Sequence, residues 1–141
     1  MDVTGTATFS IALSGMRASS ARLNASASNI ANVGSTGTLA SAGTPYADPA
    51  EPRVYTPLRA QSVPLAGGGV ASSIQPQVGA YRAVQDPASP YADANGMIAA
   101  PDIDLASELV EHLSAALAFK ANLSVIRTAD RIDDDLRNRL S

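Results

Sequence analysis

The chain has 141 residues, with ten Lys and Arg against thirteen Asp and Glu, for a net charge of −3. Scattered cations in an acidic chain exclude nucleic acid as a partner. The absence of cysteine excludes disulfides, thiol chemistry and cysteine metal sites. Hydrophobic residues make up 45% but aromatics only 4%, with no tryptophan, so alanine supplies much of the apolar share. Alanine buries little surface, and the expected core is thin and completed by neighbours through assembly. Lacking a basic n-region and an apolar h-region, the N-terminus predicts no cleaved secretory signal. No stretch approaches the length of uninterrupted apolar residues that a membrane span needs, so none is expected.

The first predicted element is a helix from about Thr6 to Asn32. Phe9, Leu13, Met16, Ser20, Leu23, Ala27 and Ile30 fall at alternating steps of four and three, the a/d spacing of a coiled-coil seam. That seam is about 33 Å long at 1.5 Å per residue. Asn32 is placed near the C-cap, with Gly34 suited to a left-handed C′ position. Ser10, Ser14, Gly15, Ser19, Ser20, Ser26 and Ser28 weaken the helix in isolation, so burial against a partner is expected to fix it.

Most of the glycine and proline lies in residues 35–100. Short β-capable runs occur at Arg53–Thr56, Val70–Ile74 and Tyr81–Val84, with a hairpin turn expected at or near Gly67–Gly69. The stretch Asp86–Pro101 reads as an extended, turn-rich connector. The last predicted element is a helix from an Asp104 N-cap to about Asn138, carrying Leu105, Leu109, His112, Ala116, Phe119, Leu123 and Ile126 at heptad spacing. Beyond Ile126 the apolar stripe shifts to Ala129, Ile132, Leu136 and Leu140, a stutter. Asp133–Arg137 and Asp135–Arg139 have the spacing of helpful ion pairs. The fold class is therefore mainly α: long terminal helices in residues 1–34 and 102–141, pairing as a coiled coil around an extended or hairpin middle in 35–101.

Charge favours that pairing. Residues 1–40 set Asp2 against Arg17 and Arg22, whereas residues 101–141 hold eight acids and five bases. No constellation for catalysis emerges. His112, the sole histidine, falls on the seam without metal-ligating companions and reads as a rim histidine. Asp133–Asp135 point in different directions on a helix and read as a solvated face. Gly67–Gly69 lacks the Lys and Ser/Thr of a phosphate loop. No enzyme activity, cofactor or metal is expected.

The run Ala21–Asn32, ending in Ser28-Asn29-Ile30-Ala31-Asn32, resembles the signature of bacterial flagellar rod and hook proteins, with Ser14-Gly15-Met16 upstream and Gly43-Thr44-Pro45-Tyr46 downstream. Pro90–Asp104, Glu108-Leu109-Val110 and Phe119-Lys120-Ala121-Asn122 are similar to stretches of the proximal-rod FlgC family of flagellar basal-body rod proteins. The usual Ala-Ser-Arg-x-Tyr run is Ala115–Phe119 here, without the arginine, and residues 47–80 carry almost no likeness.

The resemblance implies a structural subunit of the periplasmic rod, exported by the flagellar type III apparatus without signal cleavage. It also implies a helical array with other rod proteins and with copies of itself, a drive shaft that carries torque. The expected subunit interface comprises Phe9, Leu13, Met16, Leu23, Asn29, Ile30, Asn32, Leu105, Leu109, Ala116, Phe119, Asn122, Leu123 and Ile126. A cytoplasmic helical adaptor or secretion chaperone would share these seams, but would need a stable fold in isolation. A small enzyme would need a polar constellation that the sequence lacks.

Overall fold

Helix α1 (Val3–Asn32) carries no acid in its first turn and no base in its last, so nothing there complements the helix dipole. It is one of two long helices in the computed structural model, which describes residues 3–39, 42 and 52–140. The Gly43–Tyr46 motif lies outside the described residues. Helix α2 (Leu105–Leu140) has better ends. Asp104 is its N-cap, its carboxylate accepting from the Ala106 N–H at 3.1 Å and the Ser107 hydroxyl at 2.5 Å. Glu108 sits in the first turn and Arg137 and Arg139 in the last. The Asp133–Arg137 pair forms at 2.7 Å.

Between the helices run β1 (Leu58–Pro64), β2 (Val70–Pro76), β3 (Tyr81–Gln85) and β4 (Met97–Pro101). β1 pairs with β2, and β3 pairs antiparallel with β4, with Tyr81 opposite Pro101 and Gln85 opposite Met97. The hairpin turn falls on Gly67–Gly69 as the sequence suggests. Gly68 and Gly69 adopt φ of 86° and 80°, which glycine reaches without strain.

Three expectations need correction. Residues Arg53–Thr56 are extended but pair in no strand, and the strand begins at Leu58. Gly34 is not among the glycines with positive φ; α1 instead ends through Asn32, whose Nδ2 donates to the Ser28 carbonyl at 2.8 Å, and through a turn at Val33–Gly34. The supposed connector contains β4, whose residues Ile98–Pro101 are all buried.

The chain divides into two compact units, each assembled from parts of both helices. The first comprises Met1–Leu23, Ala60–Ile74 and Glu111–Ser141. Within it α1 and α2 run antiparallel, since Arg22 meets Glu111 while Gly15 meets Asn122. The hairpin tip packs on α1: the Val70 N–H donates to Ser14 Oγ at 3.1 Å, and Gly68 and Gly69 lie against Ile11 and Ser14.

The second unit comprises Asn24–Arg59 and Gln75–Val110. Its small core is Ala42, Val54 and Ala99, with Leu39 packed against it. β4 is flanked by β3 on one edge and by Gly37 on the other, where Gly37 and Ala99 exchange N–H···O bonds of 3.0 and 2.9 Å. Gly37 is required by space: a Cβ there would meet the Arg53 carbonyl carbon at 2.6 Å and the Pro52 oxygen at 2.8 Å.

Candidate functional site

The site the sequence points to is a pair of helix faces, and the contacts across them start with small and polar residues. In the first unit Ala12, Ser19 and Ala115 are buried. Gly15 lets α2 approach so closely that a Cβ would stand 2.6 Å from Asn122 Oδ1. Serine fits this face because its hydroxyl bonds back to its own helix: Ser19 Oγ donates to the Gly15 carbonyl at 2.9 Å. Arg22 closes the face with a bidentate grip on Glu111, at 2.5 and 2.9 Å, and reaches Ser114 at 3.3 Å. The hydrogen-bonded partner holds Glu111 below the usual carboxylate range and raises Arg22 in return.

In the second unit the end of α1 is organised by Asn29, which is 1% exposed. Its Nδ2 donates to the Leu58 carbonyl at 2.9 Å and to Glu108 Oε1 at 2.7 Å. Its Oδ1 accepts from the Leu58 N–H at 2.8 Å and the Tyr55 hydroxyl at 3.0 Å. Every bond that an amide side chain can make is made. Asn29 thereby acts as a peptide group towards Leu58, tying the end of α1 to the start of β1 and the first turn of α2. Burial pushes the Tyr55 phenol up, a Ser28 hydroxyl bond opposes this, and the Glu108 charge adds to the rise.

The direct contacts therefore lie one residue earlier in each heptad than the apolar seams drawn from the sequence. On α1 the contacting or buried positions include Ala12, Gly15, Ser19, Arg22, Ser26 and Asn29, with Ala18 and Ala25 buried beside them. On α2 they include Glu108, Glu111, Ala115 and Asn122. One residue is a rotation of about 100°. The reason is steric, because Gly, Ala and Ser allow a closer approach of the backbones than Leu or Phe.

The large apolar residues are displaced to the flanks. Of the expected interface set, Phe9, Leu105 and Leu109 are exposed. Leu13, Met16, Leu23, Ile30, Asn32, Ala116, Phe119, Asn122, Leu123 and Ile126 are half-buried. Asn29 is buried, with its amide bonded within the subunit. Sequence reasoning missed Val110, Leu113 and Leu117, which are 68%, 64% and 67% exposed. They lie at steps of three and four on one face, a signal visible as a second stripe. In the first unit the stripe after the stutter contributes Ala129 and Ile132 to an open apolar groove with Thr8, Ser124, Val125 and Thr128.

By length and composition alone α2 passes for a helix that could cross a membrane, through one 18-residue stretch with no more than two charges. Alanine and leucine raise its average although charges interrupt it. Among the described residues no group of three or more His, Cys, Asp or Glu is placed to hold a metal ion.

No protein-family model matches the chain. Against curated proteins it is 38% identical to the flagellar basal-body rod protein FlgC of Salmonella typhimurium, over 85% of this chain and 86% of that protein. It is 36% identical to FlgC of Escherichia coli O157:H7 over the same shares, and 33% identical to that of Agrobacterium fabrum over 83% and 81%. The chain belongs to the FlgC family of flagellar basal-body rod proteins. Such coverage includes the middle region, where the motifs gave almost no likeness. Within this family, Ser28–Asn32 of the rod signature takes a physical meaning: Asn29 anchors β1 and α2, and Asn32 closes the helix.

Proposed function

We propose that the chain is a structural subunit of the proximal rod, polymerising through its terminal helices into the periplasmic shaft that transmits torque. The observation that carries this reading is the row of large apolar side chains left in solvent along α2, from Leu105 and Leu109 through Leu113 and Leu117. A contiguous apolar face of this kind marks a surface awaiting a partner. Protein suits that face better than lipid, because Glu108, Glu111 and Lys120 recur along the same turns. Copies of the chain and other rod proteins are the partners, repeated in a helical array. Entry to the periplasm is through the flagellar type III apparatus. The poor intrinsic helix propensity of α1 suits passage in an unfolded state.

Complementation of a deletion strain tests the proposal. Wild-type chain restores swimming and basal bodies with a complete rod, and Leu23→Asp is secreted but not incorporated. Normal rods with Leu23→Asp, or normal rods in the deletion strain itself, would overturn the assignment.

A further inference from the structure

Asn95 precedes Gly96, and it is the only one of the six asparagines followed by glycine. Without a side chain to shield it, a glycine N–H is the most accessible backbone nucleophile for a neighbouring amide. We infer that Asn95 is a site of spontaneous deamidation and isoaspartate formation, gated by the closure of the turn that Asp93 organises. In the reaction the Gly96 backbone nitrogen gives up its proton and bonds to the Asn95 side-chain carbonyl carbon. Ammonia leaves, and a cyclic succinimide remains. Water then opens the ring at either carbonyl, giving aspartate or its β-linked isomer; the net change is amide plus water to acid plus ammonia.

In the folded turn the attacking group is occupied. The Gly96 N–H donates to the Asp93 carbonyl at 2.9 Å, while the Gly96 carbonyl accepts from the Asp86 N–H at 2.9 Å. Asp93 Oδ1 accepts from the N–H groups of Asn95 at 2.8 Å and Met97 at 2.9 Å, fixing the backbone on both sides of the reacting bond. Gly96 has φ of 76° and lies against Pro87, so its rotation is limited further. The Asn95 side chain itself is exposed, and water reaches it freely. Opening the turn is therefore the gate, and the unfolded chain has none.

The β-linked product has a specific consequence. It inserts one methylene into the main chain, about 1.5 Å of extra length, two residues before β4 begins at Met97 and three before its buried run at Ile98. The Gln85–Met97 pairing and the Asp93 bonds to Asn95 and Met97 cannot all survive that insertion. Simple aspartate at the same position leaves the backbone unchanged.

The test ages the full-length chain at mildly alkaline pH, native and in urea, with mass spectrometry resolving aspartyl from isoaspartyl peptides at each asparagine. Urea raises the rate at Asn95 about tenfold over the native protein, and native Asp93→Ala shifts in the same direction. Aged wild type melts lower in proportion to its isoaspartate content, whereas Asn95→Asp melts close to fresh wild type. Equal rates in native protein and urea would overturn the gate, and absence of isoaspartate at Asn95 in urea would overturn the site. If Asp93→Ala does not fold, the two wild-type arms still decide.

Discussion

Along α1, six residues between Ala12 and Asn29 are buried; along the longer α2, among described side chains, only Ala115 is. The exposed large hydrophobics divide the other way, with Phe9 and Ile11 on α1 and eight residues from Leu105 to Leu136 on α2. α2 has a capped start and a basic end, so its own ends help to hold it. α1 has no acid in its first turn and no base in its last, and depends on packing and on Asn29. The contrast separates two tasks that share one heptad rhythm. Small and polar positions pack the subunit, and the bulky positions beside them are the surface we propose for assembly.

The largest expected effect is at Asn29. Asn29→Ala removes four hydrogen bonds at once, to the Leu58 N–H and C=O, the Tyr55 hydroxyl and Glu108, and should destabilise by about 3 kcal/mol or more in urea unfolding. Tyr55→Phe removes a single bond of that set and should cost about 1 kcal/mol. A smaller loss for Asn29→Ala than for Tyr55→Phe would dissolve the claim that Asn29 is the organiser.

Next is Gly37→Ala, which drives a methyl into the backbone at residues 52–54. Overpacking of this sort costs about 1–3 kcal/mol, read as a lower melting temperature. Gly15→Ala faces a movable Asn122 side chain instead, and the helix propensity it gains offsets much of the clash.

The Arg22–Glu111 pair is smaller again, since its side chains are 32% and 43% exposed and water screens them. Its sign is set by Glu111, which Arg22 holds below the usual carboxylate range. The unfolded glutamate takes up its proton first as pH falls. The contribution is complete at neutral pH and drains away below about pH 4. Arg22→Gln should therefore flatten the acid limb of the stability profile while lowering neutral stability by less than about 1 kcal/mol. An unchanged acid limb would remove the pair from the account.

Much of the scaffold is legible in the sequence. Both helices, the Asp104 cap and the Gly67–Gly69 turn follow from residue type and spacing, because each depends on neighbours within a few positions. β4 is not legible. Ile98-Ala99-Ala100-Pro101 is too short and too alanine-rich to read as a strand, and its burial comes from Gly37 and β3, more than ten residues away. The close-contact face lies one position from the bulky stripe for a related reason. Hydrophobic periodicity finds the bulkiest stripe, whereas close helix approach selects the smallest, and only tertiary contact distinguishes them. Asn29 stands out as part of a motif, but its four bonds to Leu58, Tyr55 and Glu108 reach too far along the chain for the local sequence to show.

The smallest expected effect on folding is also the most decisive for function. Leu113→Asp combined with Leu117→Asp alters side chains that are about two-thirds exposed, so the isolated subunit should unfold within about 0.5 kcal/mol of wild type. Rod incorporation of this variant, scored in a deletion strain alongside its circular dichroism and secretion, is the direct measurement. The account predicts a folded, secreted subunit that fails to enter the rod and leaves cells non-motile. Complete rods and normal swimming would contradict the division of labour between the two helix faces.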